Sequence, residues 1–120
     1  MKIFYKGKLI EESEYIFLTE MSNLMPEHTG IDHPIWVGPN PESHGPIVKV
    51  YNSKHKITDE NDNFSVSISD NPSIKSGIEM LDSRQLRKVF EFVKDNKETL
   101  LDYSNKKIDR KELLKRIKKV

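Results

Sequence analysis

Phe64-Ser65-Val66-Ser67-Ile68-Ser69 alternates apolar and hydroxyl residues with period two, and after Asp82 the residues Leu86, Val89, Phe90 and Val93 recur at helical spacing. That switch from a period of two to one of 3.6 decides the fold, because it separates a half-buried strand from an amphipathic helix. Upstream of it, Ile47-Val48-Lys49-Val50-Tyr51 reads as a second strand. Ile35-Trp36-Val37, set between Pro34 and Gly38, reads as a third, with Trp36 on the opposite face from its neighbours. The prolines and glycines between Pro26 and Pro46 exclude a helix of useful length, so that region is loop plus strand. Further upstream, Tyr15-Ile16-Phe17-Leu18 suits a buried strand, and Ile3, Tyr5, Leu9 and Ile10 around Gly7 suit a hairpin.

Downstream, Asp82 or Ser83 can cap the first helix, and Leu100, Leu101 and Tyr103 continue an apolar face in a second helix from about Lys97. A third helix starts near Asp109, with Leu113, Leu114 and Ile117 inward and lysines outward. Strands first and helices last predict an α+β fold, a small antiparallel meander with two to three C-terminal helices packed on one face. Residues 1–120 form a single domain, with 1–20 an added N-terminal hairpin or extension and 105–120 a basic C-terminal helix.

The apolar fraction of 35% supports one core, and the charged fraction of 32% leaves a polar surface. There are no cysteines, which excludes thiol nucleophiles, disulfides and thiolate metal sites. No stretch approaches the roughly 20 apolar residues of a membrane span. Lys6 and Lys8 break the opening apolar segment, which argues against a signal peptide and for a cytoplasmic protein. The formal charge of +1 is unevenly spread: residues 1–104 hold 12 Lys+Arg and 17 Asp+Glu, whereas 105–120 hold 8 and 2. Lys111, Lys115, Arg116, Lys118 and Lys119 in that basic end could meet phosphates or an acidic protein, or simply form a solvated helix face.

His28, Asp32, His33, Glu42, His44 and His55 supply imidazoles and carboxylates, but their spacing matches no compact metal motif, so no metal or other cofactor is expected. No Gly-x-Ser-x-Gly elbow and no glycine-rich phosphate cradle is present. The best catalytic arrangement is a histidine-dependent ribonuclease, with His33 or His44 as general acid or base and Lys49 steadying a phosphate. Trp36, the single tryptophan, fits either the core beneath the helices or an anchor for a partner.

Met25-Pro26, His28-Thr29-Gly30, Ile35-Trp36-Val37, His44-Gly45-Pro46, Val48-Lys49-Val50, Ser65-Val66-Ser67-Ile68, Gly77, Asn96, Leu100-Leu101-Asp102-Tyr103 and Ile108 together resemble a group of small uncharacterised bacterial proteins. The resemblance runs from about Leu24 to Ile117 and leaves residues 1–20 outside it. Ser104 stands where that group has a tryptophan. A looser likeness is to the domain-of-unknown-function family four-one-six-zero, found beside toxin-antitoxin-like partners, although no His-x-His pair flanks Ile35 here. What the resemblance implies is this fold in a bacterial or phage cytosolic setting, with no mechanism attached.

The sequence therefore favours a non-enzymatic protein-binding module acting in a toxin-antitoxin, defence or counter-defence setting, such as a nuclease inhibitor of the anti-CRISPR kind. Its sheet edge, the 38–46 loop or the basic helix would make the contact, with Trp36, His33, His44 and Lys49 as further candidates. The alternative is nucleic-acid binding or a small ribonuclease. Neither a small-molecule ligand nor a membrane is expected.

Overall fold

A computed structural model describes residues 2–5, 7–11, 23–38, 45–59 and 61–120. The fold is α+β. Lys2–Tyr5 (β1) and Lys8–Glu11 (β2) pair antiparallel as a separate two-stranded sheet, with Gly7 at φ +79° in the turn. This is the expected hairpin. The strand expected at 15–18 lies outside the described residues.

The main sheet has five strands in sequential order: Asn23–Leu24 (β3), Ile35–Trp36 (β4), Ile47–Tyr51 (β5), Asn63–Ser67 (β6) and Ile74–Gly77 (β7). Every neighbouring pair is antiparallel, so the sheet is the meander that the alternating segments predict. Register fixes two rows across it. Leu24, Ile35, Val50, Phe64 and Gly77 line up on one face, and Asn23, Trp36, Lys49, Ser65 and Ser76 on the other. The first row is buried apart from Gly77, and Val48 opposite Val66 extends it.

Two strands were not legible in the sequence. β3 has only two residues, and β7 is exposed along its whole length, so neither shows an apolar alternation. A single helical turn, Pro26–Thr29 (α1), also interrupts the breaker-rich segment. Pro26 is tolerated there because a first-turn residue needs no donor, and Gly30 at φ +80° stops the helix after one turn.

The remaining helices are Ser83–Asp95 (α2), Lys97–Ser104 (α3) and Arg110–Arg116 (α4). The Asp82 carboxylate caps α2 by accepting from the Gln85 N–H at 2.8 Å, and Asp109 caps α4 by accepting from Glu112 at 2.9 Å. In α2 the buried centre is Val89, Phe92 and Val93, with Leu86 and Phe90 at its margin. Those side chains, Leu100 of α3 and Leu113 of α4 share one core with the valines and Phe64 of the sheet. The helices thus cover the Leu24–Phe64 face, and Trp36 lies on the other one, outside that core. Among the described residues, no helix is long and apolar enough to cross a membrane.

The basic segment is helical over less of its length than the lysine spacing suggests. Lys106 occupies a left-handed turn at φ 62°, and Ile117 leaves the helix at ψ 144°. The chain then runs extended because better partners await it than another helical turn would supply. Asn96, 3% exposed at the α2–α3 corner, donates from Nδ2 to the Lys118 carbonyl at 3.0 Å and accepts the Lys118 N–H on Oδ1 at 2.8 Å. The Val120 N–H then donates to the Thr29 carbonyl at 2.9 Å. Residues 117–120 consequently stitch the helical layer to α1.

His28 at this seam makes stability pH-dependent. Its Nδ1 accepts the Met25 N–H at 3.0 Å and must be unprotonated to do so. Partial burial and then the Arg110 guanidinium hold its pKa below the ordinary 6.5, with Lys119 adding to the effect and Glu27 opposing it. The unfolded chain therefore binds the proton more readily. Its contribution to stability is complete above the unfolded value and is lost as pH falls from there through the lower folded value. Thermal melts between about pH 7 and pH 5 should show a falling midpoint, and His28→Gln should remove part of that slope. Parallel slopes for the two proteins would contradict this assignment.

Candidate protein-binding surface

Asn52, immediately after β5, organises the exposed edge of the sheet. Its backbone N–H donates to the Asp62 carbonyl at 3.1 Å, and its Nδ2 donates to Asp62 Oδ1 at 2.8 Å, fixing the side chain. The same amide donates to the Ile78 carbonyl at 2.9 Å and accepts the Met80 N–H on Oδ1 at 3.0 Å. A carbonyl and an N–H two residues apart facing one partner describe one edge of an extended strand. Ile78 and Met80 therefore project to the same side, and Glu79 to the other.

Both apolar side chains stand in solvent. Ile78 is 77% exposed and Met80 72%, with Ile74 40% exposed earlier on the same edge. A free loop could turn such residues inward, whereas the Asn52 bonds hold them out. A fixed run of exposed apolar side chains at a sheet edge is the surface pattern of an association site.

The residues singled out from sequence are scattered by comparison. Lys49 Nζ lies 5.1 Å from the centroid of the Trp36 ring, so these two do meet, on the sheet face opposite the helices. The indole lies so close over Gly38 that a Cβ there would sit 2.3 Å from its Cζ2. His33 is 2% exposed, with Nδ1 at 3.0 Å from the Tyr51 carbonyl, and so is walled off from a substrate in solvent. His44 and most of the 38–46 loop lie outside the described residues.

Lys111, Lys115, Lys118 and Lys119 are exposed, whereas Arg116 is occupied by Glu112 Oε1 at 2.9 Å and Asp102 Oδ2 at 3.6 Å. A polar cleft of about 370 Å³ at the α2–α3 corner gathers Lys94, Lys97, Arg116 and Lys118, but Asp70, Asp95 and Glu98 line it too. Lys97 Nζ is 3.2 Å from Asp70 Oδ1. Carboxylates interleaved with cations offset the attraction a phosphate backbone would feel there. Among the described residues, no three His, Asp or Glu side chains gather as metal ligands.

Sequence reasoning passed over Asn52, Ile74, Ile78 and Met80. The available signal was that Ile78 and Met80 fall between Gly77 and the Asp82 cap, where neither the strand nor the helix period assigns them to a core. No protein-family model, no curated protein and no solved structure matches the chain.

Proposed function

We propose that this chain is a non-enzymatic protein-binding module that uses the Ile74–Met80 edge as its contact surface. The observation that carries this reading is the Asn52 clamp, which holds Ile78 and Met80 extended and exposed. Binding through it draws its energy from burying those two side chains, at roughly 25 cal/mol per Å² of apolar surface. Little ordering cost opposes that gain, because the segment is already held in place. The resemblance of residues 24–117 suggests a bacterial or phage setting, in which a small inhibitor would block a toxin or nuclease by occupying its surface.

The test compares tagged wild type with Ile78→Asp/Met80→Asp, measuring protein retained from the native cells and the melting curve of each. Because both residues are exposed, the variant should fold with stability within about 0.5 kcal/mol of wild type. Retention of the companion should fall at least about tenfold, as expected when central apolar contacts are removed. Equal retention by the folded variant would overturn the assignment.

A further inference from the structure

We infer that residues 117–120 are an acid-released latch: they stay closed on α1 while His28 is neutral, and protonation of His28 frees Lys119 and Val120. The latch is independent of the Ile74–Met80 edge and of what that edge binds.

Hydrogen bonds bring three segments together around His28. Its Nδ1 accepts the Met25 N–H at 3.0 Å, which ties the imidazole to the start of α1. From α4, Arg110 Nη1 donates to the Asn23 carbonyl at 3.0 Å, two residues before Met25. From the strap, the Val120 N–H donates at 2.9 Å to the carbonyl of Thr29, the residue after His28. Gly30 leaves room for that contact, since a Cβ there would lie 2.6 Å from the Val120 carbonyl oxygen. Lys119 is thus held near His28 by Val120 on one side and by the Asn96 bonds to Lys118 on the other.

Protonation acts on this seam in two ways. An imidazolium Nδ1 carries a hydrogen and cannot accept the Met25 N–H, so that bond is lost. The new charge also faces the Arg110 guanidinium from α4 and the Lys119 ammonium from the strap, both of which disfavour it. Arg110 is held by the Asn23 carbonyl of β3, whereas Lys119 lies beyond the end of α4 in extended chain. Relief therefore comes from movement of the strap. Glu27, with Oε1 at 3.7 Å from His28 Nε2, sits on the same turn and favours the imidazolium whether the strap is closed or open. Lys118 stays bonded to Asn96, which places the hinge between Lys118 and Lys119. Because the closed strap disfavours the charge, His28 binds its proton more tightly when the strap is open, and by linkage acid opens it.

Nitrogen-15 relaxation and the His28 ring signals should be followed together from about pH 7.5 to about pH 4.5. The Val120 order parameter should fall from about 0.85 to below about 0.6 at the midpoint of His28 itself, while Phe64 stays rigid. His28→Gln retains His33, His44 and His55 and should leave Val120 ordered throughout that range. Reciprocally, Asn96→Ala loosens the strap from its far end and should raise the His28 midpoint toward 6.5, although the Asn96 bonds go to Phe92 and Lys118. Lys119→Gln keeps both backbone anchors and should raise it through charge alone. Should a variant fail to fold, the wild-type titration alone decides. A Val120 that stays ordered while His28 titrates, a pH step that survives in His28→Gln, or a His28 midpoint unmoved in both Asn96→Ala and Lys119→Gln would each overturn the latch.

Discussion

Replacing Asn96 with alanine should destabilise the chain by about 3 kcal/mol, seen as a drop of roughly 10 °C in melting temperature. The side chain makes three bonds: to the Phe92 carbonyl at 2.9 Å and to both the N–H and the C=O of Lys118. Each intramolecular bond contributes about 1 kcal/mol net, and the Lys118 groups left behind lose their partners. The damage should also spread along the tail, because Lys118 and Val120 hold residues 117–120 between the α2–α3 corner and α1. Amide exchange at Val120 should therefore accelerate in Asn96→Ala while that of Phe64 changes only with global stability. A melting temperature within 2 °C of wild type, by order of magnitude well under 1 kcal/mol, would contradict the latch.

Gly77→Ala should cost about 2–4 kcal/mol, for two separate reasons. Gly77 has φ +85°, where an L side chain is strained, and a Cβ there would lie 2.5 Å from the Asn63 carbonyl oxygen and 2.7 Å from the Phe64 Cα. Both obstacles are backbone of the neighbouring strand, which cannot rotate aside as a side chain could. The β6–β7 pairing must open, and the Ile74–Met80 edge moves with it. Gly45→Ala separates the two causes. At φ +69° with nothing among the described residues within 4 Å, it should show only the dihedral penalty of about 1–2 kcal/mol. Equal losses for the two alanines would mean that the close approach to β6 contributes nothing.

What the sequence made legible follows from where burial imposes a pattern. Phe64 and Val66 sit on a face covered by helices, so their period of two is strict. Val89, Phe92, Val93 and Leu113 mark the covering helices by the same logic, and their caps at Asp82 and Asp109 could be read directly. Ser65 shows where the pattern misleads, for it is 4% exposed on the supposedly solvated face and accepts the Ser76 hydroxyl at 2.9 Å. A buried hydroxyl that finds a partner costs little, and composition alone does not reveal the partner.

The candidate site was harder to see because long-range hydrogen bonds place it. Asn52 lies 26 residues from Ile78, and nothing in a polar loop residue announces that it will hold a distant strand edge. The basic segment is a different case. Its charge is legible in the sequence, but the pairing of Arg116 with Glu112 and Asp102 and the holding of residues 117–120 by Asn96 and Thr29 are not. His33 has the chemistry of an acid or base but lies inside, with Nδ1 against the Tyr51 carbonyl.

The most direct test of the proposed binding role places a photoactivatable benzophenone residue, one position at a time, at Ile78, Trp36 and Lys115 and irradiates each protein in its native cells. These positions sample the clamped edge, the Trp36 face of the sheet and the basic helix. The result expected is a discrete protein adduct from position 78, whether a second copy or a different chain, with little or none from 36 and 115. Adducts confined to position 36 or 115, with position 78 silent in a folded protein, would contradict the central claim.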